Sequence, residues 1–219
     1  MVVALVIASQ LSSAEKSNAK PATAQLLGVA DNASLLAGIP QHGAVLGASK
    51  APVTLVEYAD LQCPYCGEFS RNALPTLIQE YVHTGKVRLV FRGLAFVGPE
   101  SESALRAALA AESQHRLWNF MHLLYENQGA ENSGWVTDGF IRSVAAGVAG
   151  VNVTRLVADA QSPAVTEEIA AAQRLATSEG VNSTPSFFVG HTGGVLTALK
   201  VQSLDPAAFR PTLDRLLKE

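Results

Sequence analysis

The chain has 219 residues and a formal net charge of −3, with 48% hydrophobic and 16% charged residues. An acidic balance excludes a nucleic-acid binder working by bulk positive charge, and the apolar content excludes a disordered chain. No apolar run approaches the roughly 18 to 20 residues that cross a bilayer, so no complete transmembrane helix is expected.

Residues Val2 to Ala8 form a short apolar block, followed by a polar, Ala/Ser/Asn-rich stretch through Ala24. A secretory signal carries positive charge before its apolar part, and here the first lysine is Lys16. Two readings stay open: the remnant of an export signal or membrane anchor, and a short helix or strand packing on the domain. Residues 1–46 are taken as this N-terminal segment, with a helical turn over Ala33 to Ala37 and an extended piece at Ala44 to Leu46.

Val53 to Ala59 is apolar on both parities and rich in β-branched residues, as in a strand covered on both faces. The cysteine motif begins three residues after Asp60. Helical spacing then follows through Phe69, Ala73, Leu77 and Tyr81, with a kink expected near Asn72 to Leu74 because Pro75 removes a backbone donor. Gly85 ends this helix. Lys86 to Arg92 alternates as a second strand, closing a first core part over residues 47–98.

Residues 99–179 read as an almost purely helical insertion. Glu100 to Ser113 and Arg116 to Glu126 carry core spacing, while Thr137, Asn152 and Ser162-Pro163 are helix-start signals. Residues 180–219 return to strands: Ser186 to Val189, a Gly193-Gly194 turn, and Val195 to Val201 form a hairpin, and a last helix opens at Asp205-Pro206. The order is β-α-β, a helical block, then β-β-α. That is an α/β fold with a mixed sheet, in the thioredoxin topology with a helical subdomain inserted and a right-handed first crossover.

The chemistry centres on Cys63-Pro64-Tyr65-Cys66, whose cysteines are the only two in the chain. A closed structural zinc site needs more ligands at suitable spacing, so no metal is expected, and a disulfide over so short a loop is a poor staple. Redox chemistry explains the pair better. Cys63 falls where unpaired backbone N–H groups and the helix dipole favour an anion, which suits an attacking sulfur. Cys66, one turn further in, is expected to be more buried, with a higher pKa that suits the resolving role. Pro64 stiffens the turn, and Tyr65 brings a hydroxyl but no cation.

Three further positions stand out. Glu57 is an ionisable group in a run that otherwise reads as buried strand. Desolvation would raise its pKa and make it a proton acceptor for Cys66; a solvated or Arg-paired carboxylate is the competing reading. At Thr184-Pro185, a cis bond would turn the Thr184 backbone toward the dithiol for pairing with an extended substrate, against an ordinary trans proline at a strand start. Asp60 reads as a turn or cap residue. His115 and His122, seven apart on one expected helix, read as surface or packing residues, and Trp118 and Trp135 as core residues or as the rim of a groove beside the dithiol.

The segment Val53 to Cys66, the helix with Pro75, and Val181 to Phe187 together resemble the DsbA-like thiol–disulfide oxidoreductases of bacterial cell envelopes, over about residues 46–217. The resemblance implies that Cys63, Cys66, Thr184 and Pro185 match that family's active-site cysteines, threonine and cis-proline, with Pro64 and Tyr65 beside them at the substrate. It implies no cofactor beyond a redox-active Cys63–Cys66 disulfide, exported cysteine-containing proteins as substrates, a membrane or thiol redox partner, and an extracytoplasmic location. Tyr65 is the departure, since the best-known oxidases carry histidine there and glutaredoxins share Cys-Pro-Tyr-Cys. Competing functions are a reductase or isomerase, a glutathione-dependent reductase, and a non-enzymatic peptide-binding module.

Overall fold

The computed structural model describes residues 26–219, so the block Val2 to Ala8 and the polar stretch after it lie outside the described residues. A six-stranded mixed sheet forms the frame. Its strands are β1 (Gln41–His42), β2 (Val45–Leu46), β3 (Val53–Ala59), β4 (Val87–Gly93), β5 (Ser186–His191) and β6 (Thr197–Leu199), in the spatial order β1-β2-β4-β3-β5-β6. β3 pairs parallel with β4 and antiparallel with β5, and every one of its residues is buried. This is why its sequence is apolar on both parities. Val53, Leu55 and Ala59 join the main core, whereas Val56 and Tyr58 join a smaller cluster with Val90 and Ala176 on the opposite face.

Helix α1 spans Val29–Leu35, earlier than the expected Ala33 to Ala37, because the chain enters it from Gly28 at φ 73. Helix α2 spans Pro64–Leu77 and continues through Pro75. The hydrogen-bond pattern changes only after the proline, in a π-helical stretch over Ile78–Val82 that ends with His83 N–H donating to Ile78 C=O at 2.9 Å. The disturbance therefore falls later than the expected Asn72 to Leu74.

Between β4 and β5 lie α3 (Pro99–Glu112), α4 (Leu117–Glu126), α5 (Asp138–Gly147), α6 (Val153–Asp159) and α7 (Pro163–Ser178). The Thr137, Asn152 and Ser162 side chains each accept the backbone N–H three residues on, capping α5, α6 and α7 as their sequence signals anticipate. His115 and His122 do not share a helix: His115 sits at φ 56 in the turn between α3 and α4, and His122 is buried in α4. α8 (Pro206–Leu216) closes the fold, burying Phe209, Leu213 and Leu216.

What fixes α2 against the sheet is aromatic packing. Phe69 of α2, Phe187 of β5 and Phe209 of α8 meet with ring centroids 4.8, 5.3 and 5.0 Å apart. Such pairs contribute about 0.5–1.5 kcal/mol each beyond the area they bury. They hold the helix that begins at Pro64 over the strand that begins at Ser186, so two segments far apart in sequence share one end of the sheet. Among the described residues, no helix is long and apolar enough to cross a membrane.

Candidate active site

Cys63 is the residue that precedes α2, with extended backbone at φ −64 and ψ 121, and Pro64 occupies the first helical turn, where its missing N–H leaves no gap. Both cysteines are free thiols. The Cys63 thiol donates to the carbonyl oxygen of Thr184 at 3.3 Å, and the Thr184-Pro185 peptide bond is cis. The structure thus brings together the dithiol and the Thr-Pro pair that the sequence singles out separately. Tyr65 is 62% exposed, and Pro64 is exposed beside it.

The two sulfurs are electrostatically unequal. Cys63 is held down at about 6, first by a hydrogen bond with the Cys66 thiol; the Thr184 side chain and the backbone N–H groups of Cys66 and Tyr65 act in the same direction, while burial opposes them. Cys66 is fully buried, and burial pushes its thiol well above the ordinary value, helped by hydrogen bonding to Cys63 and by the charges of Glu57 and Cys63. The helix N-terminus contributes as expected, but the neighbouring thiol contributes more.

Glu57 lies on the face of β3 that turns toward the core containing both cysteines, in register with Phe91 of β4 and Phe187 of β5. It is 5% exposed and its Oε1 has no hydrogen-bond partner among the described residues. Burial, followed by the charge of Cys63, raises its pKa to about 8. A solvated or arginine-paired glutamate does not fit this environment, and the carboxyl is protonated at neutral pH.

Asp60 turns the chain from β3 into the motif. Its Oδ1 accepts from Gln62 N–H at 2.8 Å, and its Oδ2 accepts from Phe96 and Val97 N–H at 2.6 and 2.9 Å, which ties the segment after β4 to the motif loop. Sequence reasoning missed the residues that reach this loop from the helical insertion. Tyr125 donates its hydroxyl to Asp60 C=O at 3.1 Å. Gln128 Nε2 donates to Leu61 C=O at 3.2 Å and Cys63 C=O at 3.1 Å. Gln62 donates to Ser101 and accepts from Asn132 N–H. No local pattern could have revealed contacts between residues about 40 to 70 positions apart. Trp118 is core, donating to Ala44 C=O at 3.1 Å, and Trp135 packs edge-on against Phe140. Among the described residues no cluster of potential metal ligands occurs.

A lowered thiol at the start of a helix, a raised one a turn deeper, and a strand start that meets the first through a backbone carbonyl make a protein disulfide oxidoreductase of thioredoxin fold. A family model described as Thioredoxin matches residues 41–209, and the chain belongs to that family, among its DsbA-like thiol–disulfide oxidoreductases. A probable disulfide bond formation protein D of Bacillus cereus is 30% identical over 147 residues, 66% of this chain and 68% of that relative. A thioredoxin-like oxidoreductase from Silicibacter pomeroyi DSS-3 is similar with TM-score 0.63 and 29% identity, over 85% of this chain and 98% of that one. The oxidised form of BdbD from Bacillus subtilis is similar in fold, with TM-score 0.70 and 23% identity over 83% and 98% of the two chains.

Proposed function

We propose that the protein works as a dithiol oxidase of the cell envelope, passing a Cys63–Cys66 disulfide to the thiols of exported proteins. The carrying observation is the placement of Cys63 at the start of α2 with its sulfur 3.3 Å from the Thr184 carbonyl, where the Cys66 thiol and the Cys66 and Tyr65 N–H groups hold its thiol down at about 6. A thiolate stabilised in the reduced protein favours the reduced state, so the disulfide is driven to accept electrons, and an acidic thiol is also the better leaving group. Names of relatives such as disulfide bond formation protein D support the direction.

In the first step a substrate thiolate attacks Cys63 Sγ, the Cys63–Cys66 bond breaks, and the Cys66 sulfur leaves with the electron pair. Glu57, protonated at neutral pH, gives Cys66 its proton, directly or through water, and takes it back when flow reverses. A second substrate thiolate then attacks the substrate sulfur bound to Cys63. The substrate disulfide forms and Cys63 departs as thiolate, two electrons having moved from substrate to enzyme. During the mixed disulfide, the Thr184 backbone beside Pro185 pairs with the substrate chain, and Pro64 and Tyr65 form the exposed border. A membrane or thiol partner reoxidises the dithiol; the protein needs no cofactor beyond its own disulfide.

The test is equilibration of the pair with glutathione, together with trapping. The expected potential lies between about −270 mV, that of thioredoxin, and about −120 mV, that of a strong oxidase. Cys63→Ser loses all exchange, and Cys66→Ala accumulates mixed disulfides through Cys63. A potential at or below that of thioredoxin overturns the oxidase direction, and turnover with glutathione alone favours the glutaredoxin-like reading instead.

A further inference from the structure

Gln128 follows α4, in the turn after Asn127, and belongs to the helical insertion rather than to the strands and helix that carry the dithiol. Its side-chain amide spans the motif loop from outside. One NH2 group serves two carbonyls, those of Leu61 at 3.2 Å and Cys63 at 3.1 Å. The Cys63 carbonyl is also the first acceptor of α2, taking the Gly67 N–H at 3.1 Å. A donor shared between the carbonyls on both sides of Gln62 fixes the angle at which the chain enters the helix.

The other end of the same amide has a prepared seat. A Cβ at Gly67 would stand 2.2 Å from Gln128 Oε1 and 2.9 Å from Arg71 Nη1, so any larger residue would push the amide out of the place it takes on α2. Arg71 Nη1 in turn donates to Tyr125 C=O at 2.5 Å, joining α2 to the end of α4 around that seat. Gly67 otherwise weakens the helix, because glycine costs about 1 kcal/mol against alanine in a helix interior. Its presence one residue after Cys66 is explained by the amide it admits.

We infer that Gln128 is a positioning residue for the redox reaction, seated on Gly67, which holds the Cys63 backbone so that its sulfur stays aligned with the donors that stabilise the thiolate. This rests on the reading of Cys63 as the attacking sulfur. The amide never meets the reacting atoms; it acts through the Cys63 peptide. Releasing it lets the loop relax away from the Tyr65 and Cys66 N–H groups, and the thiolate loses stabilisation while the fold remains.

The experiment is a thiolate-absorbance titration and glutathione equilibration of the full chain as wild type, Gln128→Ala, Gly67→Ala and the double variant. Thermal unfolding of the oxidised forms controls for folding, and alkylation with peptide mapping identifies the thiol that reacts at low pH. Gln128→Ala raises the Cys63 pKa by about one unit, which at pH 7 moves the glutathione equilibrium about fivefold toward the disulfide. Gly67→Ala evicts the amide and gives the same shift, although alanine favours the helix. The double variant shifts no further than either single one, since the seat and its occupant are one device. An unshifted pKa in Gln128→Ala with Cys63 still the reactive thiol, or additive shifts in the double variant, overturns the inference. Should Cys66 be the thiol alkylated at low pH, the reading of Cys63 fails and takes this inference with it.

Discussion

Cys63 and Thr184, 121 positions apart, meet through a hydrogen bond of 3.3 Å from thiol to backbone carbonyl. A carbonyl accepts from the thiol and repels the thiolate, so this contact belongs to the protonated form and is released on ionisation. The Thr184 side chain acts in the other sense and favours the thiolate. One residue therefore supplies opposite influences from its backbone and its side chain.

The first prediction concerns the pH dependence of stability in the reduced protein. Cys63 has a folded pKa of about 6, below the ordinary 9.0, so its contribution is full above 9, falls through the interval and is lost below about 6. The reduced form should gain stability relative to the oxidised form as pH rises from about 6 to 9. Denaturant unfolding of both forms at pH 5, 7 and 8.5 checks this. A difference independent of pH, or one of opposite slope, counts against the lowered thiol.

Glu57 has the reverse sign. Its folded pKa of about 8 exceeds the ordinary 4.5, so charging the buried carboxyl opposes folding as pH rises between those values. In the oxidised protein the Cys63 charge is gone and burial, the larger cause, remains, so stability should still fall as pH rises above 4.5, by on the order of 1 kcal/mol per pH unit at its steepest, less whatever other groups contribute. Glu57→Gln should flatten the slope, and it should slow proton-coupled release of Cys66 by about 10²-fold. Unchanged slope in the variant removes Glu57 from both roles.

Tyr65→His tests the neighbour-charge argument. The side chain at this position is exposed, and an imidazolium there would stabilise the Cys63 thiolate further, lowering its pKa by about half a unit to one unit and making the disulfide more oxidising. Titration and glutathione equilibration decide it. A shift toward a more reducing potential would show that local charge does not govern this site.

Asp60→Ala should destabilise the protein by about 2–4 kcal/mol, because the N–H groups of Gln62, Phe96 and Val97 lose their acceptor. Chemical denaturation of the oxidised form measures it. A loss below about 0.5 kcal/mol would mean that water replaces the carboxylate at all three.

What could be read in the sequence follows from the range of the interactions involved. Val53–Ala59 was legible because a strand buried on both faces must be apolar at every step, and the caps at Thr137, Asn152 and Ser162 because capping is a contact over three residues. Cys63 and Cys66 carry their chemistry in their own spacing. β1 escaped notice since two residues, Gln41 and His42, show no period at all, and β6 proved shorter than Val195 to Val201, with Val195 exposed. The clamps from Tyr125 and Gln128 were invisible because a tyrosine in the last turn of a helix, or a glutamine just after it, looks the same whether or not a distant loop lies against it.

The sheet's two borders carry a final consequence. Among the described residues one is formed by the two residues of β1 and the other by the three of β6. A chain that offers its cysteines for exchange also offers extended backbone, which adds readily to any long free strand and stays there. Borders this short give such a chain little to zip onto. On the proposed reading contact falls to the single turn of backbone before β5, where a partner held by few bonds is able to leave once its sulfurs have joined.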